Sequence, residues 1–249
     1  MNKISIKNIF KKSWEDFKKN WVAILAACLT IIIISGVGNY FAGGMIDMNM
    51  AELGTVESLK AFGAKEFVIA LVFALVLVFL EITFLRSWLK IADGKKTSFT
   101  DFFTNIDGAG NYFKFIGTAI LVGVLVAVPT YLLGLLVFKV IDPQTSVMGV
   151  GVGGMIVSLI SFVISFFFMF AVIFSAENRY HFLTAIKKSF GIISKNFGSV
   201  IALLFAMMGL NLLGMIPLGL GLIITVPVSV LMSAHFYRLA DQEMKAVEE

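Results

Sequence analysis

A carboxylate inside an apolar helix is the group from which proton or cation coupling is built. The chain holds one at Glu81, in the run from Phe67 to Leu85, about one helical turn before Arg86. The surrounding Leu, Ile, Val and Phe supply roughly 5–9 kcal/mol of insertion propensity, against about 3 kcal/mol for a buried acid. The helix therefore inserts with its acid in place. One reading makes Glu81 a coupling carboxylate or a polar ligand contact. The other, favoured by its shallow depth, makes it an interfacial acid paired with a nearby base. Pro129 and Pro227 lie inside later apolar runs. Each frees a backbone carbonyl that a neighbour or water must satisfy, giving a hinge at a site or a static kink. The kink is the commoner outcome. Asn211 is expected to hydrogen-bond across helices. Glu81, Asn211, Pro129 and Pro227 together are the candidate intramembrane polar site.

Other chemistries lack their residues. His181 and His235, with Glu81, Glu177 or Asp241, have the composition of a two-histidine, one-carboxylate site. No HExxH spacing supports it. His235, beside Phe236-Tyr237-Arg238, reads as a membrane-interface residue. One cysteine and two histidines make no four-ligand zinc site. Hydrolase elbows, SxxK and dinucleotide fingerprints are absent. The segment Gly149-Val150-Gly151-Val152-Gly153-Gly154 lacks the GK[ST] of a phosphate loop and reads as a flexible outer turn. The expectation is a non-enzymatic protein with no catalytic residues, no metal and no cofactor.

The elements that position these residues follow from composition. Hydrophobic residues are 59% and charged residues 14% of 249, where a soluble domain carries about 25% charged. This describes an all-α integral membrane protein. Spans are expected at about 21–41, 67–88, 115–138, 154–176, 197–214 and 218–238. The last two come from one stretch, Phe197 to Tyr237, with no Asp, Glu, Lys or Arg. As a single helix it would be roughly 60 Å long, twice the hydrocarbon thickness. It must turn at Gly214-Met215-Ile216-Pro217. Of the 20 Lys and Arg, only Lys60, Lys65 and Lys139 then fall in outer segments. That asymmetry places both termini in the cytoplasm, and Asp47, Glu52, Glu57 and Glu66 in the first outer segment. The tetrapeptide Leu25-Ala26-Ala27-Cys28 spells a lipoprotein box, but the apolar run continues past it, so Cys28 is expected to be an uncleaved core residue. Residues 1–241 read as one membrane domain, and 242–249 as a short charged cytoplasmic tail.

Ahead of the first span, Ile6, Phe10, Trp14, Phe17 and Trp21 step by helical intervals. Lys7, Lys11, Lys12, Lys18 and Lys19 occupy the remaining surface, as on an interfacial helix. The pattern returns 176 residues later in Phe182, Ile186, Phe190, Ile193 and Phe197. Lys11-Lys12-Ser13-Trp14 aligns with Lys187-Lys188-Ser189-Phe190, and Lys19-Asn20-Trp21 with Lys195-Asn196-Phe197. A weaker copy has a capping box at Ser98-Phe99-Thr100-Asp101, then Asn111-Tyr112. The unit is a cytoplasmic interfacial helix, or helix-like segment, followed by a two-span hairpin, repeated three times. Hairpin ends echo too: Trp88-Leu89-Lys90-Ile91-Ala92-Asp93 matches Phe236-Tyr237-Arg238-Leu239-Ala240-Asp241. Three stripes of small residues suggest tight helix packing. They are Gly221, Thr225, Ser229 and Ser233; Gly154, Ser158, Ser161 and Ser165; and Ala119, Gly123 and Ala127.

The chain resembles the YciC-like superfamily of prokaryotic membrane proteins, related to the membrane domain of glycerophosphoryl diester phosphodiesterases. The resemblance rests on Ala185-Ile186-Lys187-Lys188-Ser189-Phe190, Lys195-Asn196, Leu218-Gly219-Leu220-Gly221, Thr225-Val226-Pro227 and Ala234-His235-Phe236-Tyr237-Arg238-Leu239. It is strongest over 170–241. It implies six helices, a largely unassigned function and a prokaryotic cytoplasmic membrane. Thr130 follows Val128-Pro129 where such sequences often carry Gly. No phosphodiesterase domain follows residue 241, so that activity is not carried over. The expected role is lipid or partner binding in envelope maintenance, with Lys7, Lys11, Lys12, Lys18, Lys19, Lys187, Lys188 and Lys195 as the membrane-surface basic residues. Expected partners are the bilayer and its anionic lipids, with a membrane protein or a second copy of the chain as further ones. Nucleic acid is not expected, because the charges flank membrane spans. The alternative is a small-solute transporter or permease using Glu81 and the proline-kinked helices.

Overall fold

Long apolar runs without period-two alternation favour helix over sheet. The computed structural model describes residues 4–45, 64–106, 108–140 and 147–248. No strand occurs among them. The helices are α1 (Ile6–Met45), α2 (Ala64–Ala92), α3 (Asp101–Thr104), α4 (Gly108–Val140), α5 (Val147–Ala176), α6 (Phe182–Lys195), α7 (Phe197–Met215) and α8 (Leu222–Glu248). Six of these, α1, α2, α4, α5, α7 and α8, are long and apolar enough to cross a membrane. The first five expected spans fall inside their helices, and the sixth begins in the turn before α8. The outer segment with Asp47, Glu52, Glu57 and Lys60 lies outside the described residues.

Two local expectations need correction. The amphipathic segment before the first span is not a separate helix: α1 runs unbroken for 40 residues, about 60 Å. No glycine or proline occurs between Ile6 and Gly36 to stop it. At the equivalent place in the later copy, α6 does end. The Asn196 N–H bonds the Ile192 carbonyl at 3.0 Å, and the Asn196 carbonyl accepts from the Val200 N–H at 2.9 Å. The glycine-rich segment is no turn either, because residues 147–154 form the first two turns of α5. Glycine lowers helix propensity by about 1 kcal/mol per residue, but in an apolar setting the helix is the form that satisfies every backbone N–H and C=O within the segment.

The chain divides into two compact units. The first comprises Met1–Ser5, Ile106–Leu204 and Phe236–Glu249. Here the Ser175 hydroxyl donates to Thr118 Oγ1 at 2.8 Å, and Thr130 Oγ1 lies 3.0 Å from Ser161 Oγ, joining α5 to α4. Helix α5 ends at Ala176, and Asn178, two residues on, has φ 54°, a left-handed conformation that asparagine tolerates. Lys114 Nζ donates to Asn178 Oδ1 at 3.0 Å. Helix α6 lies on α5 through Ser189 Oγ, which donates to the Phe167 carbonyl at 2.8 Å, and through the stacked rings of Phe167 and Phe190. Phe170, Phe174, Phe236 and Tyr237 are fully buried and pack ring on ring.

The second unit comprises Ile6–Asn105 and Phe205–His235. Its single-turn α3 is fastened under α2. Phe102 is fully buried edge-on to Phe84 and Trp88. Lys90 Nζ donates to Asp101 Oδ2 at 2.8 Å, and the Ser87 hydroxyl to the Asp101 carbonyl at 2.9 Å. The expected capping box is half made. The Ser98 N–H donates to Asp101 Oδ2 at 2.7 Å, while the Ser98 hydroxyl pairs with Thr100 instead. The turn between α7 and α8 occupies residues 216–221, overlapping the expected Gly214–Pro217 turn at Ile216 and Pro217 and running past it. Gly219 has φ 82° and Leu218 φ 53°. A Cβ on Gly221 would sit 2.7 Å from the Gly214 carbonyl oxygen and 2.8 Å from its Cα. Only glycines permit that approach.

Candidate functional site

Helix α1 and the α6–α7 segment carry the same surface twice. Ile9, Ser13, Asp16 and Phe17 are buried in one, and Ala185, Ser189, Ile192 and Ile193 at the matching positions in the other. Trp14 and Trp21 are exposed in one, Phe190 and Phe197 in the other. Lys11 and Lys187 are exposed as a pair, as are Lys19 and Lys195. Lys7, Lys12 and Lys18 are exposed on α1. Lys188 is half-buried, with its ammonium 4.9 Å from the Tyr180 ring centre.

The face that turns inward is not the aromatic stripe. Phe10, Trp14 and Trp21 are 40, 39 and 53% exposed, while Phe17 is buried. The inward face instead holds Ser13, Asp16 and Asn20, each under 10% exposed. For Asp16 and Asn20 the reason is partnership, whereas the buried Ser13 hydroxyl has no hydrogen-bond partner among the described residues. Asp16 Oδ2 lies 3.0 Å from His235 Nε2, and its Oδ1 3.6 Å from Lys19 Nζ. Asn20 accepts from the Thr97 N–H at 3.1 Å and donates to the Asp16 carbonyl at 2.9 Å. Satisfied polar groups can be buried, and aromatic rings at a basic helix surface suit the headgroup layer. His235 is thus a buried partner of Asp16, 3% exposed, and not the interface ring expected.

A second polar cluster lies in the first unit. Glu177 accepts from the Tyr237 hydroxyl at 2.6 Å, from Arg238 Nη1 and from Arg179 Nη2 at 3.3 Å, and its Oε2 lies 3.1 Å from Arg179 Nε in an ion pair. Arg179 Nη1 reaches Asp241 Oδ2 at 2.6 Å, and Lys245 Nζ reaches the same oxygen at 2.9 Å. Sequence reasoning passed over both clusters. Their signal was a polar spacing of three and four at Ser13, Asp16 and Asn20, and the charge pairs Glu177/Arg179 and Arg238/Asp241 at the ends of apolar runs.

The expected intramembrane site is scattered. Glu81 is exposed on α2 and makes no ion pair or side-chain hydrogen bond among the described residues. The basic partner expected for it is not among them. Asn211 accepts from Ser229 Oγ across helices at a long 3.4 Å. Pro227 is buried and Pro129 exposed, and helix continues through both. The stripe of Gly221, Thr225, Ser229 and Ser233 does face α7, meeting Gly214, Asn211 and Met207 in turn. In the other two stripes Gly123, Ala127, Ser158 and Ser165 are exposed, Ala119, Gly154 and Ser161 are half-buried, and Ser161 pairs with Thr130 of the neighbouring helix. His181 is exposed against its own neighbour Phe182. Among the described residues no three His, Cys, Asp or Glu side chains converge as a metal site.

Outside the spans, the Asp101 carboxyl is held below its ordinary value, chiefly by its bond from Lys90 and also by the Ser98 N–H. No protein-family model, curated protein or solved structure matches the chain.

Proposed function

We propose that this is a non-enzymatic, multi-pass protein of a prokaryotic cytoplasmic membrane, with both termini cytoplasmic. It binds anionic lipid, or a partner presented with it, through two copies of one basic aromatic face, and so serves the envelope as a lipid-binding scaffold. The observation that carries this reading is the duplicated outward face: Trp14, Trp21 and their lysines on α1, Phe190, Phe197 and theirs on α6 and α7. Rings of this kind sit at the headgroup level, and each lysine near an anionic leaflet adds about 1 kcal/mol. The resemblance to YciC-like membrane proteins supports the six-helix arrangement. Native mass spectrometry of protein extracted gently with its lipid tests the reading. Stoichiometric anionic lipid or a co-purifying membrane protein is the expected result, and a bare protein overturns it.

A second reading, solute transport, is favoured by one observation. Glu81 keeps an exposed carboxylate within a span. Substrate-dependent flux in proteoliposomes, lost in Glu81→Gln, would establish transport in place of scaffolding.

A further inference from the structure

A groove of about 310 Å³ in the second unit runs along α1 beside the loop after α2. Its walls include Lys19, Trp21, Val22, Ala26, Thr97 and Phe99. The two ends differ in chemistry. At one end the Lys19 side chain is 67% exposed, and its only ion pair among the described residues is the 3.6 Å contact to Asp16. Lys95 and Lys96 are exposed immediately before Thr97. Thr97 is buried, and its Oγ1 has no hydrogen-bond partner among the described residues. Asn20 is held through both side-chain atoms, by the Asp16 carbonyl and the Thr97 N–H, and so shapes this end. The other end, Val22 to Ala26, has only apolar walls.

The length fits an amphiphile. Lys19 to Ala26 spans roughly 10 Å of helix, and the headgroup layer on each side of a bilayer is about 5–8 Å thick. A groove of that length begins among headgroups and ends among acyl chains. Trp21 and Phe99, 53 and 41% exposed, flank the level between. The charge suits an anion: Lys19 lines this end and Lys95 and Lys96 are exposed just before Thr97, three lysines beside the carboxylates of Asp16 and Asp93.

We propose that this groove is a binding site for one anionic phospholipid. The phosphate lies at Lys19, the glycerol between Trp21 and Phe99, and one acyl chain along Val22 and Ala26. The site rests on the lipid-binding reading above and gives it a location. The test is native mass spectrometry of the full chain from phosphatidylcholine nanodiscs containing a minority of phosphatidylglycerol. One phosphatidylglycerol should be retained per chain. Lys19→Ala should lower retention about five-fold, the loss expected of one interfacial lysine. Ala26→Phe, which fills the groove without touching its charge, should lower it at least as much, and Lys139→Ala should leave it unchanged. Retention unaltered in both groove variants would overturn the site while leaving the broader reading intact. No retained phosphatidylglycerol in the parent protein would overturn both. Displacement of the lipid by excess inorganic phosphate would mark a free-anion site and overturn the lipid assignment.

Discussion

Asp16 and His235 come from opposite ends of the chain and are both nearly sealed from solvent. Burying a carboxylate is tolerable only with a partner, so removing the imidazole leaves the acid short of a hydrogen bond. His235→Ala should cost roughly 1–3 kcal/mol, read as a lower midpoint of thermal unfolding in detergent. Asp16→Asn in the same background should recover part of the loss, because it removes the buried charge. Asp101 gives a prediction of pH. Its folded value lies below the unfolded one, so the stability it contributes is present above the ordinary carboxylate value, about 4. It fades as pH falls through the folded value. The gap in unfolding midpoint between the parent and Asp101→Asn should therefore be open at pH 7 and close in acid. The effect should be small, because the Asp101 side chain is partly exposed.

Among the elements, the contact of α8 with α7 is the packing that was most legible in sequence. Gly221, Thr225, Ser229 and Ser233 recur every four residues and meet α7 position by position. Gly221→Ala would set a Cβ against backbone atoms of Gly214. It should destabilise by about 1–3 kcal/mol, measurable by thermal unfolding, whereas Gly123→Ala, with nothing near its Cα, should not. The comparison also shows why the other stripes misled. Small size permits close approach, yet approach needs a neighbour shaped to receive it, and single-sequence periodicity does not identify that neighbour. The amphipathic segments misled for a related reason. Apolar periodicity marks a face, but in lipid that face turns outward as readily as inward. The polar residues Asp16 and Asn20 decide the direction, and their partners His235 and Thr97 lie far away in sequence.

At the scale of the molecule, six apolar helices and their approximate limits followed from hydropathy and the requirement for about 20 residues per crossing. Polar clusters held by pairs such as Glu177 and Tyr237, 60 residues apart, did not. Such contacts depend on tertiary placement, which residue types alone do not encode. Reporter fusions test the orientation inferred from lysine placement. A reporter fused after Lys60 should read extracytoplasmic and one after Lys95 cytoplasmic; the reverse pair would invert the topology.

Burial divides the three tryptophans. Trp14 and Trp21 are exposed on α1, whereas Trp88 is 5% exposed against Phe102. The protein therefore contains its own optical depth gauge. Lipids brominated near the glycerol should quench most of its intrinsic fluorescence and leave a residual, blue-shifted emission from Trp88. Phenylalanine at 14 and 21 should leave only that residue's signal, which shallow bromines barely reach.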